Sequence, residues 1–188
     1  TLQAFHRVAG LPFVGDYYLA GGTGLALHLG HRFSVDLDFF SAASDAVGVE
    51  VRTELRGTLE DPTLSIVHDE DGTFSAMWKG VGISFFRLQI YPLVEEPFIV
   101  EGVPVATLAD IGAMKLAAII GRGTRKDLVD LYYVLREVPI EDLSQVAAVK
   151  YARVRTFAVS VTRALAYFED AEDLPMPCLL YTSDAADE

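Results

Sequence analysis

Two aspartates one residue apart, Asp36 and Asp38, interrupt an otherwise apolar stretch, "AGGTGLALHLGHRFSVDLDFF" at residues 20–40. On a strand this spacing sets both carboxylates on one face, about 6–7 Å apart, with Val35, Leu37 and Phe39 on the other. Such a pair repels itself, and water or a divalent cation relieves the repulsion. Just upstream, Gly21 and Gly22 permit a tight turn whose N–H groups can approach an anion, and Thr23 adds a hydroxyl. The helix that follows offers its positive N-terminus, so a phosphate fits there. Mg²⁺ (or Mn²⁺) held by Asp36 and Asp38 would bridge the phosphates of a bound NTP. That arrangement stabilises the attacking and leaving oxygens of phosphoryl or nucleotidyl transfer. Lys115, inside an apolar helix, can extend its ammonium to the same phosphates. A glycine pair, a wet strand face and a snorkelling lysine each have a bland explanation. Their order and spacing together favour a nucleotide site.

Arg32, between the glycine turn and the acidic pair, either contacts phosphate or pairs with an acid. His28 reads as a packed side chain, and Trp78, Phe85 and Phe86 read as sheet core rather than a base-stacking platform. The formal charge is −12, but seven acids and no base fall in residues 169–188, which leaves the rest at −5. That balance leaves room for a local basic patch at Arg122, Arg125 and Lys126, a place for acceptor RNA phosphates. The single cysteine, Cys178, excludes an internal disulfide, and four scattered histidines show no zinc spacing. No apolar run reaches the roughly 18–20 residues of a membrane span, and no leader pattern opens the chain. The expectation is a soluble, cytoplasmic protein with no membrane partner.

Periodicity supplies the elements that must position these groups. A short helix over 23–29 enters from the glycine turn and is followed by a strand over 34–40. A helix starts near Ser44, with Val47, Val51, Leu55 and Leu59 on one side. Strands follow at 64–68, 73–79 and 81–91, joined by the hairpin turns "DEDG" and "KGVG", with a short strand at 103–106. "TLAD" at 107–110 resembles a capping box opening a helix that runs to Gly121. Thr124 caps the next helix, to about Glu137, and further helices occupy 141–149 and 153–169. The fold class is α+β: a mixed sheet with flanking helices in a core of 1–106, and a helical part, 107–177, packed on it. The last stretch, "CLLYTSDAADE" at 178–188, has neither period and resembles the translation of a transposon-type sequencing adapter. It is expected to be non-native and to pack against nothing essential. The first residue, Thr1, is not methionine, so both ends read as truncated.

The segments "YLAGGTGLALHLGHRFSVDLDFF", "MKLAAIIGRGTRKDLVDLYYVL" and "YFEDAEDLPMP" resemble the AbiEii/AbiGii-type nucleotidyltransferase toxin family, a branch of the DNA polymerase β-like nucleotidyltransferase fold. The resemblance spans nearly all of residues 5–177. It implies a metal-dependent enzyme that moves an NMP from an NTP to an acceptor such as tRNA or a protein, as the toxin of a toxin–antitoxin or phage-defence pair with a cognate antitoxin. Gly21, Gly22 and Thr23 match the glycine motif that receives the triphosphate, and Asp36 and Asp38 match the metal-binding carboxylates. Lys115 and Asp127 match the lysine and aspartate of the later helical motif, with Asp130 one turn on. One departure stands out: nucleotidyltransferases of this fold usually add a third carboxylate from a neighbouring strand, yet "VGISFFRLQIY" has none, and Ser84 or Phe86 stands in its place. Four explanations are open: two carboxylates suffice, Asp127 or Asp130 substitutes, the acceptor is activated otherwise, or the chain is a catalytically silent nucleotide-binding or partner-binding module.

Overall fold

The computed structural model describes residues 1–167, 171 and 174–180. Its elements run α1 (Leu2–Ala9), β1 (Tyr18–Ala20), α2 (Gly21–Leu29), β2 (Leu37–Ser41), α3 (Val49–Thr58), β3 (Ser65–Glu70), β4 (Thr73–Trp78) and β5 (Val81–Arg87). Then follow β6 (Phe98–Val100), β7 (Val103–Val105), α4 (Leu108–Gly121), α5 (Arg125–Glu137), α6 (Ile140–Lys150) and α7 (Phe157–Ala166). The strands form one mixed sheet in the order β3-β4-β5-β2-β1-β7-β6. β2 lies parallel to β5 and antiparallel to β1, and β1 lies parallel to β7.

Alternation along the central strands creates two cores. Leu37 and Phe39 of β2, with Leu19, Ile83 and Phe85, bury against Phe5 and Val8 of α1 and Leu55 of α3. On the opposite face Tyr18 and Ala20 join Leu25 of α2 and the helices α4 to α7, through Ile111, Leu116, Leu131, Leu143 and Phe157. Asp38 and Phe40 belong to this second face by their parity. A sheet between two helical layers results, as the α+β reading expects.

Several boundaries differ from the sequence expectation. The β2 ladder begins at Leu37 rather than at 34, so Asp36 and Val35 precede the strand, and Val35, expected on the face of Leu37 and Phe39, is exposed. The helix expected at Ser44 begins at Val49, behind Gly48, because Val47 takes a left-handed φ of 56° and gives its N–H to the Tyr17 hydroxyl at 2.8 Å. β5 ends at Arg87 rather than at 91. Of the helix expected over 153–169, Phe157–Ala166 is helical, while residues 168–169 lie outside the described residues.

The capping box is half realised: the Thr107 hydroxyl accepts the Asp110 N–H at 3.1 Å. The Asp110 carboxylate instead accepts the N–H groups of Val94 and Glu95 and the ammonium of buried Lys150. The Phe33 N–H donates to the Cys178 carbonyl at 3.1 Å and the Leu180 N–H to the His31 carbonyl at 2.9 Å, so the start of the 178–188 stretch pairs with the loop before β2. Residues 181–188 lie outside the described residues.

Candidate active site

At the junction of β1 and α2 the chain turns through Gly21, at φ 66°, a conformation a side chain would strain. A Cβ at Gly21 would sit 2.6 Å from Asp38 Oδ2, so glycine is what lets the turn lie against that carboxylate. Gly22 plays a related part, since a Cβ there would sit 2.8 Å from Ser34 Oγ and press on the Arg32 guanidinium. The first-turn N–H groups of α2 have no partner within the helix, and they open beside Asp38.

Asp38 is half buried on β2, and burial, followed by the nearby charge of Asp36, pushes its carboxyl above the usual range. Asp36 is exposed, with Oδ1 lying 2.6 Å from where a Cβ on Gly82 would be. Gly82 of β5 therefore makes room for the second carboxylate. The parallel register pairs Asp38 with Ser84, and Ser84 in turn pairs with Ser75 of β4. Ser84, not Phe86, is thus the strand neighbour of Asp38, and it carries a hydroxyl where a third carboxylate would stand.

Lys115 comes from α4, on the other side of the cleft. Its buried ammonium lies 2.9 Å from Asp127 Oδ1 and 2.7 Å from Asp130 Oδ2. An ammonium has three donors, so two are spent on these carboxylates and, among the described residues, one is left for an anion in the cleft. Asp127 and Asp130 are three residues apart on α5, hence on one face, and both are fully buried.

Asp127 also accepts from Arg122 Nε at 2.8 Å and from the Thr124 hydroxyl at 2.5 Å. Thr124 holds the N-cap position, yet its hydroxyl serves Asp127 rather than the helix backbone. Asp130 accepts from Arg32 Nε at 2.6 Å, Arg32 Nη2 at 2.8 Å and His31 Nε2 at 2.8 Å. Burial alone would raise both carboxyls. The hydrogen bonds and cations around them outweigh it and hold both far below the usual range. Reciprocally, Asp130 raises the pKa of Arg32, and Asp127 that of Arg122.

The open space divides in two. A polar compartment of about 450 Å³ is lined by Gly21, Gly22, Arg32, Asp36, Asp38, Ser84, Lys115, Arg122 and Lys126, among others. An apolar one of about 360 Å³ lies between Phe40 and Phe86 on the sheet and Ile111, Met114 and Ala118 on α4. The two meet at Gly21, Asp38, Lys115 and Arg122.

Most of the residues singled out in the sequence therefore converge, with two corrections of placement. Thr23 does not face the cleft: it is buried, and its hydroxyl donates to the Asp36 main-chain carbonyl, fixing the loop that carries that aspartate. Asp127 has both oxygens occupied by Lys115, Arg122 and Thr124, so it braces the cations and is not placed to replace a third carboxylate. Arg32 pairs with Asp130 and also lines the cleft. His28 bonds the Ala106 carbonyl and packs on Phe98. Trp78 and Phe85 are buried in the core as expected, but Phe86 stacks on Phe40 at 5.3 Å and lines the apolar compartment. Sequence reasoning passed over His31 and Gly82. The histidine next to Arg32 was a visible signal, whereas Gly82 needed the β2–β5 register.

With this geometry in hand, residues 11–187 match the family described as "Nucleotidyl transferase AbiEii toxin, Type IV TA system". The chain belongs to this family. It is therefore assigned to the nucleotidyltransferase toxins of type IV toxin–antitoxin systems. It is 32% identical over 178 residues to the uncharacterised protein aq_aa25 of Aquifex aeolicus (strain VF5), covering 91% of this chain and 82% of that one. The fold is similar to the solution structure of the antibiotic-resistance factor ANT(2'')-Ia, at a TM-score of 0.57 and 14% identity over 88% of this chain and 97% of that one. JHP933 from Helicobacter pylori is also similar, with a TM-score of 0.51 and 18% identity over 90% and 91% of the two chains. Membership of the AbiEii family makes the chain a nucleotidyltransferase. No described helix is long and apolar enough to cross a membrane.

Proposed function

We propose that this AbiEii-family chain transfers an NMP from an NTP to a hydroxyl-bearing acceptor, RNA such as tRNA or a protein, with Mg²⁺ or Mn²⁺, as a toxin restrained by a cognate antitoxin and acting in the cytoplasm, phage defence included. One observation carries the reading. The Gly21 turn, the Asp38 carboxylate and the Lys115 ammonium converge on one cleft from three separate elements. A turn shaped to sit against a carboxylate has little structural purpose of its own.

The donor set fits a metal delivered with its nucleotide. Among the described residues no three His, Cys, Asp or Glu side chains converge as a metal site, whereas Asp36 and Asp38 lie together at the cleft. Mg²⁺ commonly takes one or two carboxylates and fills its shell with phosphate oxygens and water. When bound, it would neutralise charge on the phosphate oxygens during transfer. The chain's own groups do the positioning. The α2 N-terminus receives the triphosphate, and Lys115, with Arg32 and Arg122 at the same cleft, counters its charge. The acceptor hydroxyl gives its proton to solvent, its oxygen forms a bond to the α-phosphorus as the bond to the bridging oxygen breaks, and pyrophosphate leaves.

The serine opposite Asp38 favours a second reading, a nucleotide-binding module without turnover. Incubation with each α-labelled NTP, Mg²⁺ or Mn²⁺, total tRNA and the protein itself separates the two. Label on RNA or protein is the expected result. Saturable metal-dependent binding without any transfer would overturn catalysis and leave the binding module.

A further inference from the structure

We infer that His31 is a positioning residue for this site, acting through Asp130 to hold the loop that carries Asp36 in fixed relation to Lys115. The inference rests on the transferase reading above. His31 and Arg32 are consecutive, and both are buried. They reach the same carboxylate on α5 from the loop between α2 and β2. That loop supplies Ser34, Val35 and Asp36 to the cleft wall.

A carboxylate offers about four lone-pair directions. Asp130 fills them with His31 Nε2 and Arg32 Nε on Oδ1, and with Arg32 Nη2 and Lys115 Nζ on Oδ2. The carboxylate is thereby fixed in rotation, and so are the two cations that share it. A carboxylate only accepts, so Nε2 carries the proton of this bond. The other ring nitrogen, Nδ1, is buried with no hydrogen-bond partner among the described residues, and the ring packs against Tyr133 at a centroid distance of 5.0 Å. A histidine placed only for packing would leave no reason for Nε2 to complete the shell of the carboxylate that holds Lys115. Removing it frees one lone pair on Oδ1 and leaves Arg32 and Lys115 alone to hold the carboxylate, which loosens the Arg32–Asp130–Lys115 chain.

The test compares full-length wild type, His31→Phe and His31→Gln, each confirmed as folded by circular dichroism at the assay temperature. His31→Phe preserves bulk and removes the donor, whereas His31→Gln returns an N–H donor. The labelled-NTP assay is run with saturating acceptor. His31→Phe is expected to lose about tenfold in kcat with less than a threefold change in NTP KM, and His31→Gln to recover at least half of the wild-type rate. If His31→Phe does not fold, His31→Asn, which is too short to reach Asp130, takes its place with the same expected loss. A folded donor-less variant with wild-type kcat would overturn the inference alone, as would equal impairment in His31→Gln. A wild type that transfers no label with any NTP would overturn the transferase reading, and this inference with it.

Discussion

Half-buried Asp38 and the fully buried Asp127–Asp130 pair are carboxylates with opposite behaviour, and the difference is a matter of partners. Asp38 has burial and Asp36 working against its charge, whereas Asp127 and Asp130 are each surrounded by cationic donors. A carboxyl raised in the folded state contributes stability below its unfolded pKa, and this is lost as pH rises through the folded value. A carboxyl lowered in the folded state contributes stability above its unfolded pKa, and this is lost as pH falls. The ligand-free protein should therefore hold its melting temperature down to about pH 4, the ordinary carboxylate value, and lose it below as Asp127 and Asp130 are protonated. Added stability from Mg²⁺ and NTP needs ionised Asp38 and should fade at higher pH than the ligand-free stability does. Melts across pH with and without ligand check both limbs, and coincident loss of the two would count against the assignment. At this scale the sequence was legible for residue type: the glycine turn, the acidic pair and Lys115 all reach the cleft. It was not legible for which polar atom meets which. Thr23, Thr124 and Asp127 are committed to internal hydrogen bonds that depend on how α4, α5 and the loop before β2 pack together.

The elements place these atoms with little slack, and the β1–α2 junction shows it most clearly. Gly21→Ala should cost roughly 1–2 kcal/mol for a side chain at a left-handed φ. For a chain of this size that is a fall of about 2–8 °C in melting temperature. Its Cβ would also displace Asp38, so the variant should remain folded but lose its response to Mg²⁺ and NTP. A variant melting normally with full ligand response would remove the turn from the site. Helices α4 and α5 were readable from caps and period, since Thr107 and Thr124 stand at their N-caps. The start of α3 was not, because Ser44 is a good cap by type while the chain instead bends at Val47 to satisfy Tyr17. Asp36 was expected on the strand because alternation continues through Val35. Alternation is a local signal, and the ladder stops at Leu37 although β5 continues through Gly82 and Val81, which pair with β4.

Across the whole molecule an acidic chain encloses a cleft with four bases, Arg32, Lys115, Arg122 and Lys126, and the first three are braced by Asp127 or Asp130. Lys126 is exposed at the rim. If the acceptor is RNA, Lys126→Glu should weaken transfer severalfold, flatten its salt dependence and leave NTP binding nearly unchanged. Equal effects on both substrates would take this rim out of the acceptor path. Arg125 is a poorer choice for that test because it donates to the Leu174 carbonyl, so its replacement disturbs the C-terminal segment as well. Truncation after Pro177 removes two backbone bonds to the loop of His31 and Phe33, and should cost about 1–2 kcal/mol by chemical denaturation. No measurable loss would show those bonds to be idle. The central claim is that Asp38 exists for a metal-bound nucleotide, and thermal melts of wild type and Asp38→Asn, with and without Mg²⁺ and each NTP, test it directly. Ligand at about a hundredfold its dissociation constant should add about 2.7 kcal/mol to the wild type. Asp38→Asn should be at least as stable without ligand, since it removes a disfavoured charge, and should gain nothing from Mg²⁺ and NTP. A wild type with no metal-dependent shift for any nucleotide, or an Asp38→Asn that keeps the full shift, would contradict the account.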